Sequence, residues 1–228
     1  MCAILLCSHR TDILHVTYKK HIPIPEPSDI CYSPSTQSYF IVSDKGVLYE
    51  VDTNLRFVRK ADLAGYDFEG VYADSNKVYV CDETMRRVFA LNVRTLQQEE
   101  VRPVPYHGGR NLGYESITWN PARNCFVMAI EKDPTRLVEF DRQFVQLREV
   151  NLKNKGDISS LTYYNNFIYA LSDEKRVVYR LHPETYRIEA TYTLRGILNP
   201  EGLCFTNQGE MLVLSDDLQM IFRYNLNP

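Results

Sequence analysis

The chain has 228 residues, 44% hydrophobic, 12% aromatic and 24% charged, with a net charge of −3. That is globular composition, and it excludes a disordered polymer. The near-neutral balance gives no electrostatic basis for nucleic-acid binding, which draws on a basic excess. The longest apolar run, Met1 to Cys7, falls far short of the roughly 20 residues of a spanning helix, so no transmembrane segment is expected.

Residues 1–10 read as an N-terminal tail, and residues 11–228 as a single domain. Tyr, Phe, Val and Ile then recur in short runs with no sustained helical period, which points to an all-β protein. The first run is Ile13 to Lys20. After it a pattern begins that occurs five times. Its opening strands are Ser28–Tyr32, Glu69–Tyr72, Glu115–Trp119, Ser159–Tyr163 and Glu201–Phe205, starting 41 to 46 residues apart.

In each unit a polar turn leads to an apolar strand that ends in an acid. These are Tyr39 to Asp44, Val78 to Asp82, Phe126 to Glu131, Ile168 to Asp173 and Met211 to Asp216. Third strands follow at Val47–Val51, Arg87–Leu91, Arg136–Phe140, Arg176–Leu181 and Met220–Tyr224. A more polar fourth strand completes four units, as in Phe144–Leu152 and Arg187–Leu194. Four short strands per 40–45 residues is the period of a propeller blade. The expected fold is therefore a five-bladed β-propeller of four-stranded antiparallel blades. The fifth unit lacks a fourth strand, and Ile13–Lys20 is expected to supply it by pairing with Met220–Tyr224. Closing the ring in this way removes exposed edges.

In such a blade, the start of strand one and the end of strand two share a face. Glu69, Glu115 and Glu201 should then converge on one channel mouth, with Ser28 and Ser159 at the two remaining starts. Asp44, Asp82, Glu131, Asp173 and Asp216 should form a ring behind them. Crowded carboxylates raise one another's pKa unless a cation is shared. Hard oxygen donors in a roomy ring suit Ca²⁺. The five His residues show no ligand spacing. Asp after a strand is also a common turn former, so most of the strand-two acids are expected to be structural. Glu69, Glu115 and Glu201 are the expected metal ligands. The loop Pro103 to Gly113 should lie over this mouth, with Arg110, or His107 in a hydrolase, placed to meet an anion; an ordinary linker between units is the alternative.

Glu69-Gly70-Val71, Glu201-Gly202-Leu203, Ser43-Asp44, Ser172-Asp173 and Ser215-Asp216 together resemble the SdiA-regulated family of bacterial propellers, and more distantly the NHL-repeat propellers. The resemblance covers about residues 11–228. It implies a five-bladed propeller with a Ca²⁺ site and no established activity. Ser28-Asp29 and Ser159-Ser160 depart from the pattern, so the acidic ring should be incomplete. The family's habit suggests the bacterial cell envelope. Ile4-Leu5-Leu6-Cys7 could then be the remnant of a lipoprotein signal with Cys7 as anchor, although Leu6 stands where a small residue is usual. A cytoplasmic protein is the alternative.

Cys31 and Cys204 occupy matching positions of different units and read as small core residues. No nucleophile elbow or phosphate-cradling loop is present. The expected function is a monomeric binding or scaffold module, with a metal in the channel and a small ligand or protein at its mouth. A Ca²⁺-dependent lactonase or phosphoesterase is the alternative, with Asp173 or Asp216 as base. Such enzymes pair Asn with Glu at the metal, and the best candidate here, Asn111, lies in the loop. A third possibility is a purely structural ring whose channel Glu residues pair with Arg.

Overall fold

A computed structural model describes residues 10–63, 67–105, 113–130, 134–152 and 156–226. Every regular element among them is a strand, and there are twenty. The first unit comprises β2 (Pro27–Ser33), β3 (Ser38–Ser43), β4 (Val47–Asp52) and β5 (Phe57–Asp62). The second comprises β6 (Phe68–Ala73), β7 (Lys77–Asp82), β8 (Arg87–Asn92) and β9 (Gln98–Pro103), and the third β10 (Tyr114–Asn120), β11 (Cys125–Ile130), β12 (Arg136–Phe140) and β13 (Gln146–Asn151). Each of these is an antiparallel four-stranded sheet in chain order.

The fourth unit is β14 (Ser160–Tyr164), β15 (Phe167–Ser172), β16 (Val177–Leu181) and β17 (Ile188–Arg195), and the fifth is β18 (Pro200–Phe205), β19 (Met211–Ser215) and β20 (Met220–Tyr224). The N-terminal strand β1 (Arg10–His21) joins them into one eight-stranded sheet. Its second half pairs antiparallel with β20, from Val16↔Tyr224 to His21↔Met220, as the sequence predicts. Its first half differs from expectation, because Arg10 to His15 pair in parallel with Ala190 to Arg195 of β17. The strand is 12 residues long, twice the usual blade strand. A bulge between Val16 and Tyr18 lets it pass from one partner to the other.

The units pack face to face. β2 contacts β6, β6 contacts β10, β10 contacts β14, β14 contacts β18, and β18 contacts β2, so the five first strands form a closed cycle. Each hydrophobic cluster straddles two neighbours. Phe40, Val42 and Leu48 meet Phe68, Val80 and Phe89 between the first two units. Ile30 and Ile41 meet Leu212, Leu214 and Ile221 where the last unit meets the first. Second strands are therefore apolar through their middles, and β3 and β11 are buried at every residue. Burying one such Phe or Ile contributes about 1.5–3 kcal/mol. The outer strands β5, β9 and β13 carry charges and stay mostly exposed.

One expectation about the outer strands is corrected. Phe144 does not begin a strand; it sits in the turn before β13 with φ 60°. Leu55, Leu96 and Tyr186 hold the same left-handed place in other units (φ 55–58°). All four side chains are buried, and that burial compensates a backbone conformation unfavourable for bulky residues.

Candidate functional site

Four of the five expected strand starts meet in one cavity; the fifth, Ser159, does not border it, and its hydroxyl donates to the Pro200 carbonyl at 3.4 Å. Glu69, Glu115 and Glu201 line a single cavity of about 240 Å³ together with Ser28, Asp44, Glu83 and Asp216. The sequence-predicted Glu residues are thus brought together, along with two of the strand-two acids. Among the described residues, no Lys, Arg or His borders the cavity.

The strand-two acids sort by register. Pro27↔Ser43, Phe68↔Asp82 and Pro200↔Ser215 are equivalent pairs. Asp82 therefore matches Ser43 and Ser215, and the residue matching Asp44 and Asp216 is Glu83. The expected ring member Asp82 is corrected by one residue. A one-residue step reverses the side-chain direction, and Asp82 turns outward to accept Met85 N–H (2.9 Å) and Arg87 Nε–H (2.9 Å). Glu83 takes the cavity position, where its Oε1 accepts Gly113 N–H at 2.8 Å. A Cβ on Gly113 would lie 2.5 Å from Glu83 Cγ, so only glycine permits this approach.

Asp67, just before β6, adds a carboxylate that sequence reading missed. Single oxygens of Asp67, Glu69 and Glu83 lie within 4.8 Å of one another. Asp44 accepts the Ser28 hydroxyl. Asp173 lies one step round, beside Asp157, and does not border the cavity. Glu131, His107, Arg110, Asn111 and Cys7 fall outside the described residues.

The electrostatics follow from burial and from the crowding of like charges. Burial pushes the Glu69 carboxyl well above its usual range, and Asp44, Asp67, Glu83 and Glu201 push further in the same direction. Burial, then Asp173 and Asp216, raise Glu201 to about 8. Burial also raises Glu83, although the Gly113 N–H opposes it. Asp216 is raised by burial and by Asp44. Asp173 rises to about 7, by burial and by its hydrogen bond and charge contact with Asp157. An all-oxygen donor set of crowded carboxylates fits a hard divalent cation.

Beneath the cavity lies Asp29, fully buried and raised to about 8 by burial. Val71 N–H donates to its Oδ2 at 3.0 Å, and the Ser160 hydroxyl to its Oδ1 at 2.7 Å. Ser116 and Ser160 continue the pattern by accepting Leu161 N–H (2.7 Å) and Leu203 N–H (3.0 Å) from the next unit. The matching positions in the other units are Gly70 and Gly202. A Cβ there would lie 2.8 Å from Ser116 Cα and 2.9 Å from Asp29 Cα. The cysteines at 31, 81, 125 and 204 are free and buried, as the sequence suggests for Cys31 and Cys204.

A model of the SdiA-regulated family matches residues 14–216. Among solved structures, the fold is similar to glutaminyl cyclase of Myxococcus xanthus, with TM-score 0.77 and 17% identity over 95% of this chain and 97% of that one. It is also similar to hydrazine synthase of Kuenenia stuttgartiensis, with TM-score 0.57 and 14% identity over 85% of this chain and 56% of that one. At these identities the likeness concerns the fold alone.

Proposed function

Since the chain belongs to the SdiA-regulated family, a family of β-propellers, we propose that it is a five-bladed member that binds Ca²⁺ at its acidic mouth and serves as a binding or scaffold module of the cell envelope. One observation carries the metal reading: among the described residues, seven oxygen-bearing side chains, six of them acidic, surround one cavity. Glu69, Glu115 and Glu201 are the proposed ligands, and Glu83, with Asp67, strengthens the set on the Glu69 side. A cation removes the mutual repulsion that otherwise forces protons onto these groups. Five blades agree with the closed cycle of five first strands. The envelope assignment, with Cys7 as a lipid anchor, rests on family habit and is checked by fractionating native cells.

A second reading is a metal-dependent hydrolase. Asp173, raised to about 7, has the acidity of a general base working near neutral pH, and it is the leading charged neighbour of Glu201.

Thermal unfolding in EDTA, then with Ca²⁺ and with Mg²⁺, tests the proposal. A ligand specific for the folded state contributes about 2.7 kcal/mol at one hundred times its Kd. A saturable Ca²⁺-specific rise in Tm, abolished in the Glu69→Gln, Glu201→Gln double variant, is the expected result. An unchanged response in a folded double variant would overturn the ligand assignment. Turnover of lactones or phosphoesters that is lost in Asp173→Asn would favour the hydrolase.

A further inference from the structure

The opposite ends of the first strands enclose a second, larger cavity of about 420 Å³ with different chemistry. Tyr32, Tyr72, Trp119, Tyr163 and Phe205 surround it, one from each unit. Cys31, Thr118, Thr162 and Cys204 line it as well. Strand rise puts Tyr32 about 13 Å along β2 from Ser28 at the acidic mouth, with the buried Asp29 between. The two cavities are therefore separate sites on one axis.

We propose that this cavity binds an uncharged, planar aromatic molecule of one or two rings bearing a small polar substituent. The volume is in the range of small-molecule sites. An apolar cavity of roughly 150 Å³ already holds benzene, so this one admits up to two rings with a substituent. Flat side chains on several sides offer stacked and edge-on contacts to a flat ligand. Among the described residues, no acidic or basic side chain lines the cavity, so a charged ligand would leave water with no counter-charge from them. The Cys31 and Cys204 thiols are held neutral by burial. A cation bound by the rings alone is disfavoured too. Trp119 is the strongest such platform, and the Arg142 guanidinium already lies over it, 4.2 Å from the ring centre. For the polar substituent, Thr118 Oγ1 accepts Tyr163 N–H at 3.1 Å and keeps its own hydroxyl proton to donate. Thr162 and Asn207 border the same space.

Trp119 is the chain's single tryptophan, so its emission reports directly from the cavity wall. Benzamide, benzoate and benzamidine share one ring and nearly one shape but differ in charge. Titrated into the full chain, benzamide is expected to change Trp119 emission saturably, with benzoate and benzamidine at least about tenfold weaker. The response should be the same in EDTA and in Ca²⁺, which separates this site from the acidic mouth. Thr162→Phe, which pushes a ring into the cavity from a strand that accepts aromatics, should abolish the response while preserving the circular dichroism spectrum. Equal or tighter binding of either ion, a saturable response only to methyl β-glucoside, or no saturable response to any probe overturns the proposal. If Thr162→Phe does not fold, competition between benzamide and 2-naphthamide decides instead. Mutual displacement supports one ring-binding site, and independent responses overturn it.

Discussion

Val71 N–H donates to Asp29 Oδ2 across the boundary between the first and second units, 3.0 Å apart and 42 residues distant in sequence. The same carboxyl reaches the fourth unit through Ser160. One side chain thereby ties together three walls of the channel, and it does so as a carboxyl raised to about 8 by burial.

A neutral acid and an amide have nearly the same shape. Asp29→Asn should change stability by less than about 1 kcal/mol at pH 7, whereas Asp29→Ala strands the Val71 N–H and the Ser160 hydroxyl at about 1–3 kcal/mol each. Urea unfolding of both variants checks this. Equal losses would show that the site requires charge and not merely an acceptor.

The glycines beside this contact should be intolerant. In Gly70→Ala and Gly202→Ala the new methyl meets backbone, which cannot rotate away. Each should lose about 1–3 kcal/mol by overpacking, seen as a lower denaturation midpoint at unchanged slope.

Acidity should govern the metal-free protein in a defined direction. Glu201 titrates near 4.5 when unfolded and at about 8 when folded, so between those values the folded state binds more protons. Stability in EDTA should then fall as pH rises from about 5 to 8. Ca²⁺, which needs the deprotonated groups, should restore progressively more over the same interval. Tm measured across pH with and without Ca²⁺ gives both curves, and parallel curves would contradict a shared site.

Glu139 should behave in the opposite sense. It is buried between the third and fourth units, where it accepts Arg123 Nε–H (2.6 Å), Arg148 (2.6 Å) and the Tyr186 hydroxyl (2.7 Å). Burial pushes its carboxyl up, but these donors outweigh it and the net shift is downward. Its stabilisation is present above the unfolded value of 4.5 and is lost as pH falls through the lower folded value. Glu139→Ala leaves two partly exposed guanidinium groups and the Tyr186 hydroxyl short of their acceptor and should cost about 1.5–3 kcal/mol, read as a lower urea midpoint near pH 7.

The strands were legible because burial on both faces writes itself as unbroken apolar runs, as in Phe126 to Ile130. The convergence of Glu69, Glu115 and Glu201 followed from their shared place in the repeat. Glu83 was not legible, because Asp82-Glu83 presents two adjacent acids and only pairing with Phe68 tells which one turns inward. Asp29 carried a usable signal: it is the lone acid at a position held elsewhere by Gly70, Ser116, Ser160 and Gly202. The turn placement of Phe144 was hidden, since a bulky apolar residue gives no hint of a left-handed backbone. The double pairing of β1 depends on a bulge that alternation does not reveal.

That double pairing has a consequence for biosynthesis. Residues 10–21 leave the ribosome well before their partners, residues 190–195 and 220–224. The strand must wait unpaired while the intervening strands are translated. Ring closure thus becomes a late, long-range step of the slow kind, and an unfinished chain keeps open edges that invite association with its neighbours.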